Sequence, residues 1–237
     1  MSCVRRSALS PALLFLLAAA CLLVASPVAS AEQAWNPVAD PRAIVVEGTA
    51  RFTVLTPRLV RMEWTADGAF EDHASLVFVN RRVPVPDFKA THEDGWLILR
   101  TALLTVRYKA GGGTFTADNL RAEFTLNGKT VTWTPGMEDK GNLQGTIRTL
   151  DGVKGSTPLG SGLVSRDGWV VVDDAERPLF DNSEWPWVVE RPNVKHQDLY
   201  LFAYGHDYRD ALRDYTLVAG RIPLPPRFAF GTWWSRY

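Results

Sequence analysis

Cysteine is almost missing from this sequence, whose 237 residues include only Cys3 and Cys21. Both precede residue 32, where we expect the mature chain to begin. The mature chain therefore has no disulfide bond, no thiol chemistry and no cysteine-ligated metal site. A chain of this length can bury a core large enough to fold without such crosslinks, so we expect packing alone to stabilise it.

An excess of charge of either sign is also missing. Lysine plus arginine and aspartate plus glutamate number 26 each, which gives a net charge of zero. Because proteins that bind nucleic acids usually carry a basic surface, we expect no nucleic-acid partner.

Motifs that bind cofactors or metals are absent from the sequence as well. Gly111-Gly112-Gly113 lacks the Lys-Ser/Thr that follows in a phosphate-binding loop. No Gly-x-Ser-x-Gly or dinucleotide-binding motif occurs, and the four histidines are scattered. The sequence therefore predicts no cofactor and no metal site.

Long apolar runs are missing after the N-terminus, and the run at the N-terminus has the form of a secretion signal. Arg5-Arg6 precedes the apolar residues 12–24, and Ala29-Ser30-Ala31 supplies a small-residue cleavage site. We predict that residues 1–31 are a signal peptide and that the protein is secreted or periplasmic, with no membrane partner after cleavage. An uncleaved N-terminal anchor is the alternative.

The rest of the chain contains mostly short alternating runs. Between residues 43 and 133, apolar and polar side chains alternate in segments such as Val60–Trp64, which is typical of antiparallel strands with one buried face. Asn127-Gly128, between Leu120–Leu126 and Lys129–Trp133, predicts a tight hairpin. With no helical pattern between the strands, the sequence predicts a mainly β protein, an antiparallel sandwich of about 10 to 15 strands over residues 32–204.

The period changes near the C-terminus. Apolar side chains recur at helical spacing, Asp207 can cap the helix and Gly220 can end it, so we predict a helix over 208–219. Its apolar face contains Tyr208, Ala211, Leu212, Tyr215 and Val218 or Ala219. Three prolines between 223 and 226 predict an extended linker, and residues 227–237 then predict an apolar strand.

Two sequence features could contact a ligand. Asp173 and Asp174 form an acidic pair, but successive strand residues point to opposite faces, so at most one can face a pocket; a solvated strand end is the alternative. Trp185-Pro186-Trp187 could stack on sugar rings, or could plug the base of a loop.

A resemblance to a known family lies in the same part of the chain. Asp198–Tyr208, Ala211–Thr216, Gly220–Gly231 and Trp234–Tyr237 resemble the junction between the N-terminal β-sandwich and the catalytic barrel of glycoside hydrolase family 31, the α-glucosidase and α-xylosidase family. Leu163–Asp174 resembles a segment that, in a subset of the family, forms a sandwich loop over the active site. The earlier part of the chain resembles the family only in its pattern of short alternating strands.

This resemblance implies a galactose-mutarotase-like sandwich at 32–204, a linker helix and proline-rich connection at 205–226, and the start of a (β/α)8 barrel at 227–237. It implies retaining hydrolysis or transfer of α-linked glucosyl or xylosyl residues without a cofactor. The family's catalytic aspartates lie on later barrel strands, so we assign no catalytic residue and expect the chain to be inactive alone. The implied ligand is an oligosaccharide or α-glucoside, and the implied partner is the barrel of the same polypeptide.

The resemblance also implies substrate-binding residues. Asp174, or Asp173 if the register differs by one, matches a sandwich-loop aspartate that binds sugar hydroxyls. Trp234 and Arg236 lie at the end of the first barrel strand that faces substrate; packing within the barrel wall is their alternative role. A non-catalytic carbohydrate-binding or structural β-sandwich module is the alternative for the whole chain.

Overall fold

The computed structural model describes residues 35–146, 151–222 and 227–231. Within them the chain forms twelve strands and one α-helix, α1. The elements are β1 (Ile44–Glu47), β2 (Ala50–Thr56), β3 (Leu59–Thr65), β4 (Lys89–Glu93), β5 (Trp96–Arg100), β6 (Leu104–Lys109), β7 (Leu120–Leu126), β8 (Lys129–Trp133), β9 (Val170–Asp173), β10 (Leu179–Phe180), β11 (Val188–Val189), β12 (His196–Phe202) and α1 (Tyr208–Ala219).

The strands form two antiparallel five-stranded sheets and a small hairpin. The first sheet has the order β1-β2-β3-β12-β9, the second has the order β4-β5-β6-β7-β8, and β10 pairs with β11. The second sheet is a meander in which every strand pairs with its neighbour in sequence. The first sheet joins strands from both ends of the chain, because β12 pairs with both β3 and β9. The predicted mainly β, antiparallel sandwich is confirmed.

The main core lies between the two sheets. Phe52, Met62 and Leu201 of the first sheet pack in one cluster with Leu97 and Phe124 of the second, and all five are 5% exposed or less. At about 1.5 to 3 kcal/mol for each buried large apolar side chain, this cluster is the main source of stability for a chain whose described residues contain no cysteine.

The tight hairpin predicted from Asn127-Gly128 is confirmed. Both residues have positive φ angles, 51° and 74°, and they connect β7 and β8. Asparagine and glycine tolerate this left-handed conformation, and a two-residue turn with positive φ at both positions matches the twist of the paired strands. The turn fixes the register between β7 and β8, which is an edge strand of the second sheet.

The expectation that strands have one solvated face is wrong for β2 and β3. All seven residues of each strand are buried, including Arg51, Arg61 and Glu63. The face that points away from the main core is covered by a second cluster, in which Phe78 stacks on Tyr200 with ring centres 3.6 Å apart. Charged side chains can be buried on this face because they form ion pairs with one another.

Helix α1 spans the predicted residues, and it packs on this second cluster through Ala211 and Val218. Leu212 is 45% exposed, so its place on the apolar face was predicted wrongly. Asp214 is buried on the helix instead, and it accepts a hydrogen bond of 2.6 Å from the Tyr204 hydroxyl. A polar residue can occupy the inward face because a buried donor meets it there.

The predicted barrel strand is not confirmed. Arg227–Phe230 forms a short 3-10 helix, and residues 232–237 lie outside the described part of the chain. A strand needs a neighbour for its backbone hydrogen bonds, and these four residues have none in either sheet. The Asp207 side chain also makes no capping bond and pairs with Arg58 instead.

Candidate functional site

A buried charge network crosses the outer face of the first sheet. The antiparallel register sets Arg51 of β2, Glu63 of β3 and Asp198 of β12 side by side. Arg51 donates to Glu63 at 2.6 and 2.9 Å. Arg61 donates from Nε and Nη2 to the two carboxylate oxygens of Asp198, at 2.8 Å each. We use the name charge network for six residues: Arg51, Arg61, Glu63, Asp174, Arg191 and Asp198.

Arg191 connects the sheet to the segment that covers it. This arginine follows β11, its side chain is 7% exposed, and its Nη2 donates to Asp174 at 2.9 Å and to Asp198 at 3.2 Å. Its Nε donates to the Arg177 carbonyl oxygen at 2.9 Å. A single guanidinium therefore fastens both ends of the β10–β11 excursion to the sheet.

The two aspartates of the network have opposite pKa shifts. Burial by itself would raise the pKa of Asp198, but the positive charge and hydrogen bonds of Arg61 override burial and hold the pKa at about 2. Burial raises the pKa of Asp174 to about 6, and the neighbouring Asp198 charge adds to this rise. Asp198 is thus the ionised partner of the arginines, while Asp174 titrates near neutrality.

A carboxylic acid with a raised pKa beside an ionised one is the pattern that glycosidases use for acid and nucleophile. Here the pattern does not make an active site. Asp174 is 0% exposed and Asp198 is 2% exposed, and the Arg191 guanidinium lies between them. Both carboxylates are engaged by arginines, so they hold the sandwich together instead.

The structure separates the two predicted sandwich-loop aspartates. Asp173 ends β9 on the exposed side and accepts a hydrogen bond of 3.0 Å from the Ala175 backbone N–H. Asp174 points inward, where Ser75 Oγ donates to it at 3.0 Å. One residue of the pair thus faces solvent and the other does not, as strand alternation predicts. Trp234 and Arg236 lie outside the described residues.

A cavity of about 330 Å³ opens beside the charge network. Its lining combines the ends of β3 and β12, the loop after β3, Asn182 and the Arg191–Val194 segment. Apolar side chains such as Phe70 and Val194 form part of the wall, and Glu71, His73 and Asp198 add polar groups. Pockets of about this size, mostly apolar with a few polar groups, are the usual form of small-ligand sites.

The β10–β11 hairpin carries two exposed tryptophans at its tip. Trp185 is 77% and Trp187 is 66% exposed, so neither plugs the base of the loop. Asp181 fixes the tip, because its Oδ1 accepts hydrogen bonds from the Ser183 hydroxyl at 2.6 Å and the Trp187 N–H at 2.9 Å. The Ser183 hydroxyl also lies 2.7 Å from the Trp185 carbonyl oxygen, so its single proton is shared between the two acceptors. The indoles are held on an ordered loop.

Sequence reasoning missed five members of the charge network: Arg51, Arg61, Glu63, Arg191 and Asp198. In the sequence, the charged residues of β2 and β3 have the spacing of an ordinary solvated face. The available signal was the opposite sign of Arg51 and Glu63 on strands joined by a short turn, where cross-strand pairing is expected.

The described residues contain no group of three or more histidine, cysteine or acidic side chains that could hold a metal ion. Over the same ranges, no helix has both the length and the apolar composition needed to cross a membrane.

No protein-family model and no curated protein matches the chain. Solved structures similar to it include a glycoside hydrolase family 31 dextranase from Flavobacterium johnsoniae in complex with glucose, with a TM-score of 0.46 and 18% identity over 78% of this chain. Another is a family 31 α-xylosidase from Xanthomonas citri, with a TM-score of 0.31 and 15% identity over 60% of this chain. The chain spans 27% of the length of that dextranase and 19% of that α-xylosidase.

Proposed function

We propose that this chain is the N-terminal β-sandwich of an exported family 31 glycosidase and that it binds the carbohydrate on which the enzyme acts. The family is proposed from the sequence resemblance over Asp198–Tyr237 and Leu163–Asp174. The reaction, retaining hydrolysis or transfer of α-linked glucosyl or xylosyl residues, belongs to the barrel that this resemblance implies.

The observation that carries the binding role is the exposure of Trp185 and Trp187 on a loop fixed by Asp181. An indole is apolar on its face and polar only at its N–H. A sugar ring has an apolar C–H face that can stack on the indole. Because the loop is already ordered, little conformational entropy is lost when a sugar binds.

Titration of the chain with maltotriose and isomaltotriose tests this role. We expect millimolar binding, weakened about fivefold or more by Trp185→Ala or Trp187→Ala, since an aromatic contact contributes about 1 kcal/mol. Leu103→Ala removes a 47% exposed apolar side chain between β5 and β6 and should leave the affinity unchanged. Absence of binding at millimolar sugar would contradict the carbohydrate-binding role.

A structural role is the second candidate, and a specific observation favours it. Val188 and Val189 are also exposed, at 55% and 39%, so the hairpin exposes four large apolar side chains, counting the two tryptophans. Such a surface often contacts another protein. In this case the hairpin would pack on the barrel of the same polypeptide, and the tryptophan variants would lower the solubility or stability of a barrel-containing protein without changing sugar binding.

A further inference from the structure

The cavity beside the charge network contains a buried cation with unused hydrogen-bonding capacity. The Arg191 side chain is 7% exposed, and its Nε and Nη2 donate hydrogen bonds to other residues of the chain. Its Nη1 has no hydrogen-bond partner among the described residues. Nη1 is not a fully buried donor, so water can reach it, and because Arg191 lines the cavity this nitrogen is available to a ligand acceptor.

The opposite side of the cavity offers acceptors. Asn182 Nδ2 donates to His73 Nε2 at 3.0 Å, which fixes the tautomer so that His73 Nδ1 donates to Glu71 Oε1 at 2.6 Å. Within the described ranges, Glu71 Oε2 and the Asn182 amide oxygen are left without partners. A ligand must therefore accept from an arginine on one side and donate to oxygens on the other.

The charged residues that line the cavity favour some classes of ligand over others. Among the described residues, five acidic ones line the cavity (Glu63, Asp67, Glu71, Asp72 and Asp198), and Arg191 is the one arginine or lysine that joins them. Arg51 and Arg61 lie behind and offset only part of this charge. An anionic ligand is disfavoured by the acidic rim, and a simple cation cannot accept from Arg191. Hydroxyl groups both donate and accept, so a neutral polyhydroxylated ligand satisfies both sides.

Size and position narrow the ligand further. A volume of about 330 Å³ lies at the lower end of the range for small-molecule pockets, about 300 to 1,000 Å³, which suits one sugar ring better than a chain of several. Phe70, Pro192 and Val194 give the wall an apolar surface for the C–H face of such a ring. Asn182 belongs to the same hairpin tip as Trp185 and Trp187, so the cavity borders the tryptophan surface.

We propose that the cavity formed by Arg191, Glu71, His73 and Asn182 binds a single neutral pyranose, the end unit of a glycan whose next units stack on Trp185 and Trp187. This inference rests on the proposed carbohydrate-binding role and adds the part of the glycan that is recognised. The pocket recognises a chain end, while the tryptophans contact the chain in a less selective way.

Ala69 allows the pocket to be narrowed without touching the charge network. It lines the cavity and is exposed, and Ala66 is also exposed in the same loop but does not line the cavity. We expect wild-type protein to bind methyl α-D-glucopyranoside at millimolar concentration. Ala69→Leu should weaken this binding about tenfold or more by occupying the space of the ring, and Ala66→Leu should bind like wild type. Glucose 1-phosphate should bind more weakly than the neutral glycoside.

The outcomes separate this inference from the proposed function. If the tryptophan variants weaken maltotriose binding while Ala69→Leu binds both sugars like wild type, the carbohydrate-binding role stands and the pocket inference is wrong. If Ala69→Leu abolishes methyl glucoside binding while the tryptophan variants have no effect, the pocket stands and the stacking surface is wrong. Tighter binding of glucose 1-phosphate than of methyl glucoside would overturn the neutral-ligand assignment.

Discussion

At the scale of single residues, Asp174 has the sequence context of a sugar-binding residue but is a buried structural residue. Its sequence neighbourhood resembles a sugar-binding loop, yet its carboxylate is fully buried and bonded to Ser75 and Arg191. Arg61 and Arg191 lower the cost of its charge, while burial and the Asp198 charge increase it, and the balance raises its pKa to about 6. Its contribution to stability therefore depends on pH.

The sign of that dependence follows from the two pKa values. The pKa of Asp174 is about 6 in the folded chain against an ordinary 3.8, so its favourable contribution is complete below about pH 4 and is lost as pH rises to about 6. Asp174→Asn keeps the shape of the side chain and removes the charge. Compared with wild type, its free energy of unfolding should rise between pH 4 and 7 by up to about 3 kcal/mol.

Urea denaturation of both proteins at a series of pH values measures this difference. Asp173→Asn, which removes the exposed carboxylate one residue away, is the matched control. Parallel pH profiles for wild type and Asp174→Asn would contradict the prediction.

At the scale of elements, helix α1 is attached to the sandwich at its middle and at its C-terminal end. In the middle of the helix, Asp214 is bonded to the Tyr204 hydroxyl, which also forms a hydrogen bond of 2.8 Å with Thr56 Oγ1. At its end, the Val218 carbonyl oxygen accepts the backbone N–H groups of Val79 and Asn80 at 3.1 and 3.0 Å. These bonds satisfy a carbonyl that a helix C-terminus leaves unpaired, so the helix is part of the folded sandwich.

Val218 and Leu217 provide a matched test of this attachment. Val218 is 0% exposed and Leu217 is 39% exposed. Val218→Ala should lower the free energy of unfolding by about 2 kcal/mol, because it removes buried methyl groups and leaves a cavity. Leu217→Ala should change it by about 0.5 kcal/mol or less. Equal effects of the two substitutions in chemical denaturation would show that the helix does not pack as described.

At the scale of the whole molecule, local patterns predicted the β class, the β7–β8 hairpin and the bounds of α1. Asn127-Gly128 and Gly220 act within a few residues of themselves, so their effect is readable from sequence. The buried charge of Arg61 depends on its pairing with Asp198, which lies 137 residues further along the chain. Long-range contacts of this kind decide which polar residues are solvated, and alternation alone does not contain them.

Export of the whole chain stays a prediction from its first residues. If residues 1–31 are a signal, protein recovered from the medium or periplasm should have the intact mass of a chain that begins at Glu32. Ala31→Lys places a large charged residue at a position that requires a small one, so the precursor should accumulate uncleaved. Ser30→Lys, one position away, is the control and should be processed. Normal processing of Ala31→Lys would contradict the assigned cleavage site.

The charge network has a consequence for anyone who redesigns this protein. Removing Asp198 or one of the arginines leaves an unpaired buried charge, which typically costs about 3 to 5 kcal/mol. Exchanging all six for well-packed apolar side chains is often neutral or stabilising in other proteins. Single-site libraries will therefore report these positions as immutable, although the set as a whole is replaceable. Related sequences should vary here in concerted groups, and an alignment of them is best searched for joint substitutions at 51, 61, 63, 174, 191 and 198.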